Sequence, residues 1–212
     1  MAKPRILIVH GIHTNDNAAW MDYMVSAFRD AGWDASKWTY GYAYALLTRF
    51  QNPGRAKKLA AMVRPGDIVL GHSNGACITW MAAELGAPMG GAILLNPALD
   101  TDKVLARQVP WVDLYANRYD EAVPLASLFV GHPWGPQGAE GITIEDARYR
   151  TVWTDSEPPM VRGHSAILAP EVITLWTAKI IRSAEARIAA LRPAPHKSAS
   201  GWSLPATTAV RP

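Results

Sequence analysis

The chain has 212 residues, 49% apolar and 18% charged, enough for one domain with a sizeable core and too apolar for wholesale disorder. Its formal charge of +3 is spread along the sequence, without the Lys/Arg run that neutralises a phosphate backbone, so nucleic acid is not an expected partner. The one cysteine, Cys77, excludes an intrachain disulfide and a Cys-rich metal site.

In chain order, Arg5 to Gly11 reads Arg-Ile-Leu-Ile-Val-His-Gly, a short β-branched run of the kind found in a buried parallel strand. Its apolar part is too short for the core of a signal peptide, and no later segment reaches the ~18 apolar residues of a membrane span. No integral membrane segment is therefore expected, and the expected location is cytoplasmic. Ala18 to Ala31 places Trp20, Met24, Ala27, Phe28 and Ala31 at helical spacing, with Gly32 as the stop. Trp38 to Tyr42 predicts a second, aromatic strand. Pro53 to Val63 predicts a helix with Leu59, Met62 and Val63 inward. Asp67 to Gly71 is the third predicted strand, Asn74 to Leu85 an apolar helix closed by Gly86, and Ala92 to Asn96 the fourth strand. Trp111 to Ala116 and Tyr149 to Trp153 are the fifth and sixth strands. Ser165 to about Leu191 is a long helix broken near its start by Pro170.

Strands alternating with helices predict an α/β fold, a three-layer α/β/α sandwich around a six-stranded, mostly parallel sheet. The expected domain is 1–192. Within it, 125–141 reads as a lid-like surface loop rich in Gly and Pro, and 193–212, rich in Pro, Ala and Ser, reads as a disordered tail.

The sharpest local signal is Gly71-His72-Ser73-Asn74-Gly75, a G-x-S-x-G between a buried strand and an apolar helix. A serine at the apex of such a turn must take a strained backbone for its hydroxyl to stand clear of the sheet. The flanking glycines remove side chains that would collide there, and the helix N-terminus aims N–H groups at developing negative charge. A serine that only caps the helix is the plain structural alternative.

With these residues the sequence resembles the α/β-hydrolase fold family, in particular its small serine esterases and lipases, over roughly 5–181. The resemblance implies that Ser73 is a nucleophile and that the Asn74 N–H donates to an oxyanion. It implies a second donor at the Ile12 N–H, in His10-Gly11-Ile12-His13, with the His10 side chain bracing that loop and His13 at the pocket mouth. The base should come after the nucleophile. His164 lies after the last strand and just before the last helix, where the family puts it; His132 and His196 also follow Ser73, one in the Gly/Pro loop and one in the tail. The acid is expected at Asp120, after the fifth strand, with Glu121, Asp100 and Asp113 as its competitors.

Departures from the family pattern point to a minimal member. With so few residues ahead of the first strand, the opening antiparallel hairpin is not expected, and Pro97 to Pro110 leaves no room for a cap domain. Substrate cover is expected from 125–141, with Phe129 and Trp134 as apolar contacts and a second wall from Tyr40, Tyr42 and Tyr44. Metal-ligand spacings, a P-loop and a dinucleotide fingerprint are absent from the sequence, so no cofactor and no metal are expected. The expected activity is cleavage of small to medium carboxylic esters, possibly lipid-like ones, the partner being the small-molecule ester. The alternatives are amide or thioester hydrolysis or acyl transfer by the same residues, and a hydrolase-fold binding protein with a vestigial site.

Overall fold

The computed structural model describes residues 3–12, 18–41, 47–123 and 134–191. Six strands form one sheet: β1 (Arg5–Val9), β2 (Asp34–Trp38), β3 (Ile68–His72), β4 (Gly91–Leu95), β5 (Val112–Ala116) and β6 (Tyr149–Trp153). Their order is β2-β1-β3-β4-β5-β6, and every neighbouring pair is parallel, in line with the alternation of strands and helices in the sequence. β3, β4 and β5 are buried at every position, which is why they read as mostly apolar runs, Asp113 of β5 and His72 at the end of β3 excepted.

Helices cover both faces. α1 (Ala19–Asp30), α2 (Thr48–Met62) and α3 (Asn74–Glu84) precede a one-turn α4 (Gln137–Glu140) and the long α5 (Ile173–Ala190). Successive strand side chains alternate between two cores. Leu7, Val9, Val69 and Leu94 pack with Leu59 of α2 and Ile78 of α3. Ile6, Ile8, Ile68 and Leu70 pack with Phe28 of α1 and Trp176 and Ile180 of α5. Much of the tryptophan is core: Trp33, Trp38, Trp111 and Trp176 are all buried. Among the described residues, no helix is long and apolar enough to cross a membrane.

Three predicted elements shift. The second strand is Asp34–Trp38, and the aromatic stretch from 38 to 42 begins where it ends. α1 stops at Asp30, so the chain must enter the sheet at once, and register pairs Arg5 with Asp34 and Val9 with Trp38. This is an edge strand, where Asp, Ser and Lys are tolerated despite poor strand propensity. The second helix begins at Thr48, five residues before Pro53, which lies inside it. Its buried stripe is Thr48, Asn52, Ala56 and Leu59, half of it polar and therefore invisible to an apolar pattern; Met62, expected inward, is exposed. The last helix is preceded by a 3-10 turn at Ala166–Leu168 and starts only after Pro170.

The expected loop 125–141 is described from Trp134 onward, and that part is not a surface lid. Trp134, Gln137 and Gly138 are buried. The Gln137 amide donates to the carbonyls of Asp100 (3.1 Å) and Lys103 (2.8 Å), fixing α4 against the turn after β4. The segment expected to be a tail lies outside the described residues, as do His132 and His196.

Candidate active site

Because all six strands are parallel, their C-terminal ends share one edge of the sheet, and the loops leaving that edge converge. Gly11 follows β1, Ser73 follows β3, Asp120 follows β5 and His164 follows β6.

Ser73 sits at φ 54°, ψ −121°, a left-handed conformation that a side chain rarely accepts. Its neighbours over-determine it. The Ser73 N–H donates to the Leu95 carbonyl at 3.0 Å, and its own carbonyl accepts from Ala76 (3.0 Å) and Ala98 (3.3 Å). Both motif glycines are required by close approach. A Cβ on Gly71 would lie 2.8 Å from the Ala76 nitrogen, and one on Gly75 would lie 2.6 Å from the carbonyl oxygens of Val9 and His10. The elbow therefore brings α3 directly against β1 and β3, and only glycine fits at the two contacts.

The Ser73 hydroxyl donates to His164 Nε2 at 2.8 Å, and His164 Nδ1–H donates to Asp120 Oδ2 at 2.7 Å. The carboxylate cannot donate, so the proton of the neutral imidazole belongs on Nδ1 and Nε2 is left to accept. Asp120 is buried and also receives Asn96 Nδ2 on Oδ2 (3.2 Å) and the Val123 N–H on Oδ1 (3.3 Å). Of the competing acids, Glu121 and Asp100 are exposed. Asp113 is buried inside β5 and paired instead with Arg150 (2.9 Å) and Arg187 (3.0 Å) of β6 and α5.

The loop after β1 lies against the serine. A Cβ on Gly11 would be 3.0 Å from Ser73 Cβ and 3.4 Å from its Oγ, so the peptide leading to Ile12 passes close to the hydroxyl. His10 is fully buried and braces this loop. Its Nδ1–H donates to the Gly11 carbonyl (2.7 Å), Nε2 accepts from the Tyr40 N–H (3.4 Å), and its ring stacks on Tyr40 with centroids 4.0 Å apart.

Sequence reasoning missed a second layer. The Tyr40 hydroxyl donates between the carbonyls of His10 (2.8 Å) and Gly11 (2.9 Å) and accepts from Asn74 Nδ2 (3.2 Å). Burial raises the Tyr40 phenol well above its ordinary pKa, so it remains a donor. Asn74 Oδ1 in turn accepts from Asn52 Nδ2 (2.7 Å) and from the Trp134 indole N–H (3.0 Å). This polar network ties the loop after β1 to the residue after Ser73. Trp134, expected as an apolar contact, is buried and engages the site through Asn74. On the other side Asn117, also missed, joins the loops that carry Asp120 and His164. Its Nδ2 donates to the Val161 carbonyl (2.9 Å), and its Oδ1 accepts from the N–H groups of Tyr119 (3.0 Å) and Gly163 (3.4 Å). Gly163, at φ 112°, makes the turn that delivers His164. His13, Tyr42, Tyr44 and Phe129 lie outside the described residues.

His72 packs against His164. Its ring is 5.1 Å from that of His164 and 5.8 Å from that of Trp20, and among the described residues neither ring nitrogen has a hydrogen-bond partner. Burial first, and then the nearby His164, push its pKa down to about 3. It is therefore neutral wherever His164 would work, and it adds no like charge when His164 gains a proton. The linkage has a definite sign. The unfolded chain protonates this imidazole below about pH 6.5 and the folded one only near 3, so stability is full above pH 6.5 and falls as pH drops toward 3. The loss by pH 4 is about 3 kcal/mol. Urea unfolding at pH 7 and pH 4 measures it: His72→Phe is expected to shrink the difference between the two, and an unchanged difference contradicts this account.

No family model matches the chain, and none of the curated proteins does. Solved structures do. Alpha/beta hydrolase domain-containing protein 10 from mouse aligns with a TM-score of 0.58 at 16% identity, over 87% of this chain and 90% of that one. A sugar hydrolase from Lactococcus lactis aligns with a TM-score of 0.60 at 15% identity, over 90% and 92%. A pyrethroid hydrolase from Sphingobium faniae aligns with a TM-score of 0.55 at 13% identity, over 88% and 99%. At such identities the likeness is one of fold, and the chain has the α/β-hydrolase fold.

Proposed function

We propose that the chain is a serine hydrolase that cleaves carboxylic esters, with Ser73 as nucleophile, His164 as general base and acid, and Asp120 orienting His164. The observation that supports this most is that one imidazole bridges the Ser73 hydroxyl at 2.8 Å and the Asp120 carboxylate at 2.7 Å. The three residues come from three separate loops, and the serine is held at a positive φ that a non-glycine residue rarely adopts.

In this reading Ser73 Oγ attacks the ester carbonyl carbon while its proton passes to His164 Nε2. Asp120 keeps the Nδ1 proton in place and stabilises the imidazolium. The carbonyl oxygen becomes an oxyanion beside the N–H groups of Ile12 and Asn74. Asn74 opens α3, where an N–H has no intrahelical acceptor and the helix dipole favours negative charge. The intermediate collapses, the bond to the leaving oxygen breaks, and His164 gives that oxygen its proton, releasing the alcohol. Water then loses a proton to the same imidazole and attacks the acyl-enzyme. The carboxylic acid leaves and Ser73 recovers its hydrogen.

The fold neighbours named as hydrolases are consistent with this chemistry, and the sequence order Ser, Asp, His agrees with it. Turnover of p-nitrophenyl acetate and butyrate by the purified chain tests the proposal. Saturable hydrolysis well above the spontaneous rate is expected with at least one of them; hydrolysis of neither counts against ester cleavage.

A further inference from the structure

Charge is distributed unevenly over the fold. Between Asp34 and Asp67 the sequence has six Lys and Arg and no acid, and α2 lies within that stretch. Arg49, Lys57 and Lys58 of α2, with Arg64 just beyond it, are exposed and make no ion pair among the described residues. Elsewhere Lys3, Arg5, Arg118 and Arg148 are each paired with a carboxylate. Because Thr48, Asn52, Ala56 and Leu59 turn inward, the helical period puts Phe50, Gly54, Lys57 and Ala61 on the outer crest of α2, and all four are exposed. Phe50 is 77% exposed, the most exposed large apolar side chain among the described residues, and Leu47, just before the helix, is 46% exposed.

We propose that the outer face of α2 docks the protein on an anionic phospholipid membrane, with Phe50 and Leu47 entering the interface and Arg49, Lys57, Lys58 and Arg64 meeting the headgroups. One exposed phenyl ring is ordinary by itself. Set among cations that have no acid to neutralise them, it matches a surface that is negative at headgroup level and apolar just beneath. Neither half suffices alone: a single apolar anchor binds a bilayer marginally, and an anchor joined to a basic patch binds it firmly. The same features disfavour the other occupants. A second copy of this face would bring like charges together. A nucleic acid would engage the cations but leave Leu47, whose side chain cannot stack on a base, without a partner. The docking also has a direction. α2 starts at the edge of the sheet where Ser73 lies, and its Asn52 Nδ2 donates to Asn74 Oδ1, next to that serine, at 2.7 Å. Entry of Phe50 and Leu47 therefore brings the Ser73 edge of the sheet, and not its far edge, to the lipid.

Sedimentation with vesicles tests this. It reads binding and not turnover, so it succeeds or fails apart from the ester-cleavage reading. At about 0.1 M salt the chain is expected to bind vesicles of phosphatidylcholine and phosphatidylglycerol, mixed at roughly 2:1, and to bind phosphatidylcholine alone roughly tenfold more weakly or less. Lys57→Gln and Lys58→Gln together are expected to weaken binding to the mixed vesicles about 25-fold, from about fivefold for each basic residue near such a surface. Phe50→Ser is expected to weaken it about tenfold, the scale of one buried aromatic side chain. Arg182→Gln removes an exposed cation from α5, which packs on the opposite face of the sheet, and is expected to change binding less than about twofold. A thermal midpoint shows that each variant is folded. No binding of the unmodified chain to the mixed vesicles overturns the inference. So does a loss with Arg182→Gln as large as that of the α2 variants, or tighter binding to a single-stranded DNA oligonucleotide than to the vesicles.

Discussion

Ser73→Ala is expected to lower kcat for a good ester on the order of 10^6-fold while leaving the fold intact. No acyl-enzyme can form without Oγ, and what persists is the weaker help that the remaining donors and binding groups give to direct attack by water, some 10^3–10^4-fold over the uncatalysed reaction. The variant should fold because the constraints on residue 73 are backbone ones. Its N–H to Leu95 and its carbonyl to Ala76 and Ala98 survive the change, and alanine meets the same left-handed strain that serine does. Hydrolysis of p-nitrophenyl acetate and a thermal unfolding midpoint, measured on the same preparation, check both halves. An unchanged midpoint with activity lost is expected; a variant that keeps activity within tenfold of the parent contradicts the assignment.

Asp120→Asn is expected to cost about 10^4-fold in kcat. Both oxygens of Asp120 already accept hydrogen bonds, Oδ2 from His164 and Asn96 and Oδ1 from Val123. An amide must turn its NH2 toward one of these donors. Facing His164, it forces the imidazole proton onto Nε2, where it blocks acceptance from Ser73. Facing Val123, it opposes an N–H in a buried site and still lacks the charge that stabilises the imidazolium. kcat at pH 7 decides it, with urea unfolding to show that the variant is folded. A loss under tenfold would mean that His164 is held by something other than this carboxylate.

The sequence makes one class of feature readable and hides another. The parallel sheet follows from apolar runs alternating with helices, and the elbow from glycines at spacings that a tight strand–helix crossing requires, so Gly71 and Gly75 are readable in the sequence alone. Asp120 and His164 were singled out by the resemblance, which expects an acid in the loop after the fifth strand and a base in the loop after the last, and both loops leave the edge where the parallel strands end. Asn52, Tyr40 and Asn117 were not. Each is a buried polar residue whose partner is distant in sequence: Asn52 meets Asn74, Tyr40 meets the loop after β1, and Asn117 meets Gly163. Periodicity registers apolar faces only, so a helix that buries Thr48 and Asn52 looked as if it began at Pro53. Tyr40 misled in the opposite direction. Its aromatic neighbourhood suggested a strand, whereas the actual strand is the polar edge segment before it and Tyr40 is committed to His10. How α1 and α5 pack side by side on one face of the sheet is likewise encoded by no local pattern.

The central claim, that Ser73 is a nucleophile activated by His164 and Asp120, is tested most directly by intact-mass measurement after treatment with a fluorophosphonate. The account predicts that the native chain gains one phosphonyl group, with loss of fluoride, and that Ser73→Ala gains none. A native chain that takes no adduct, or a Ser73→Ala chain that takes the same one, would contradict it.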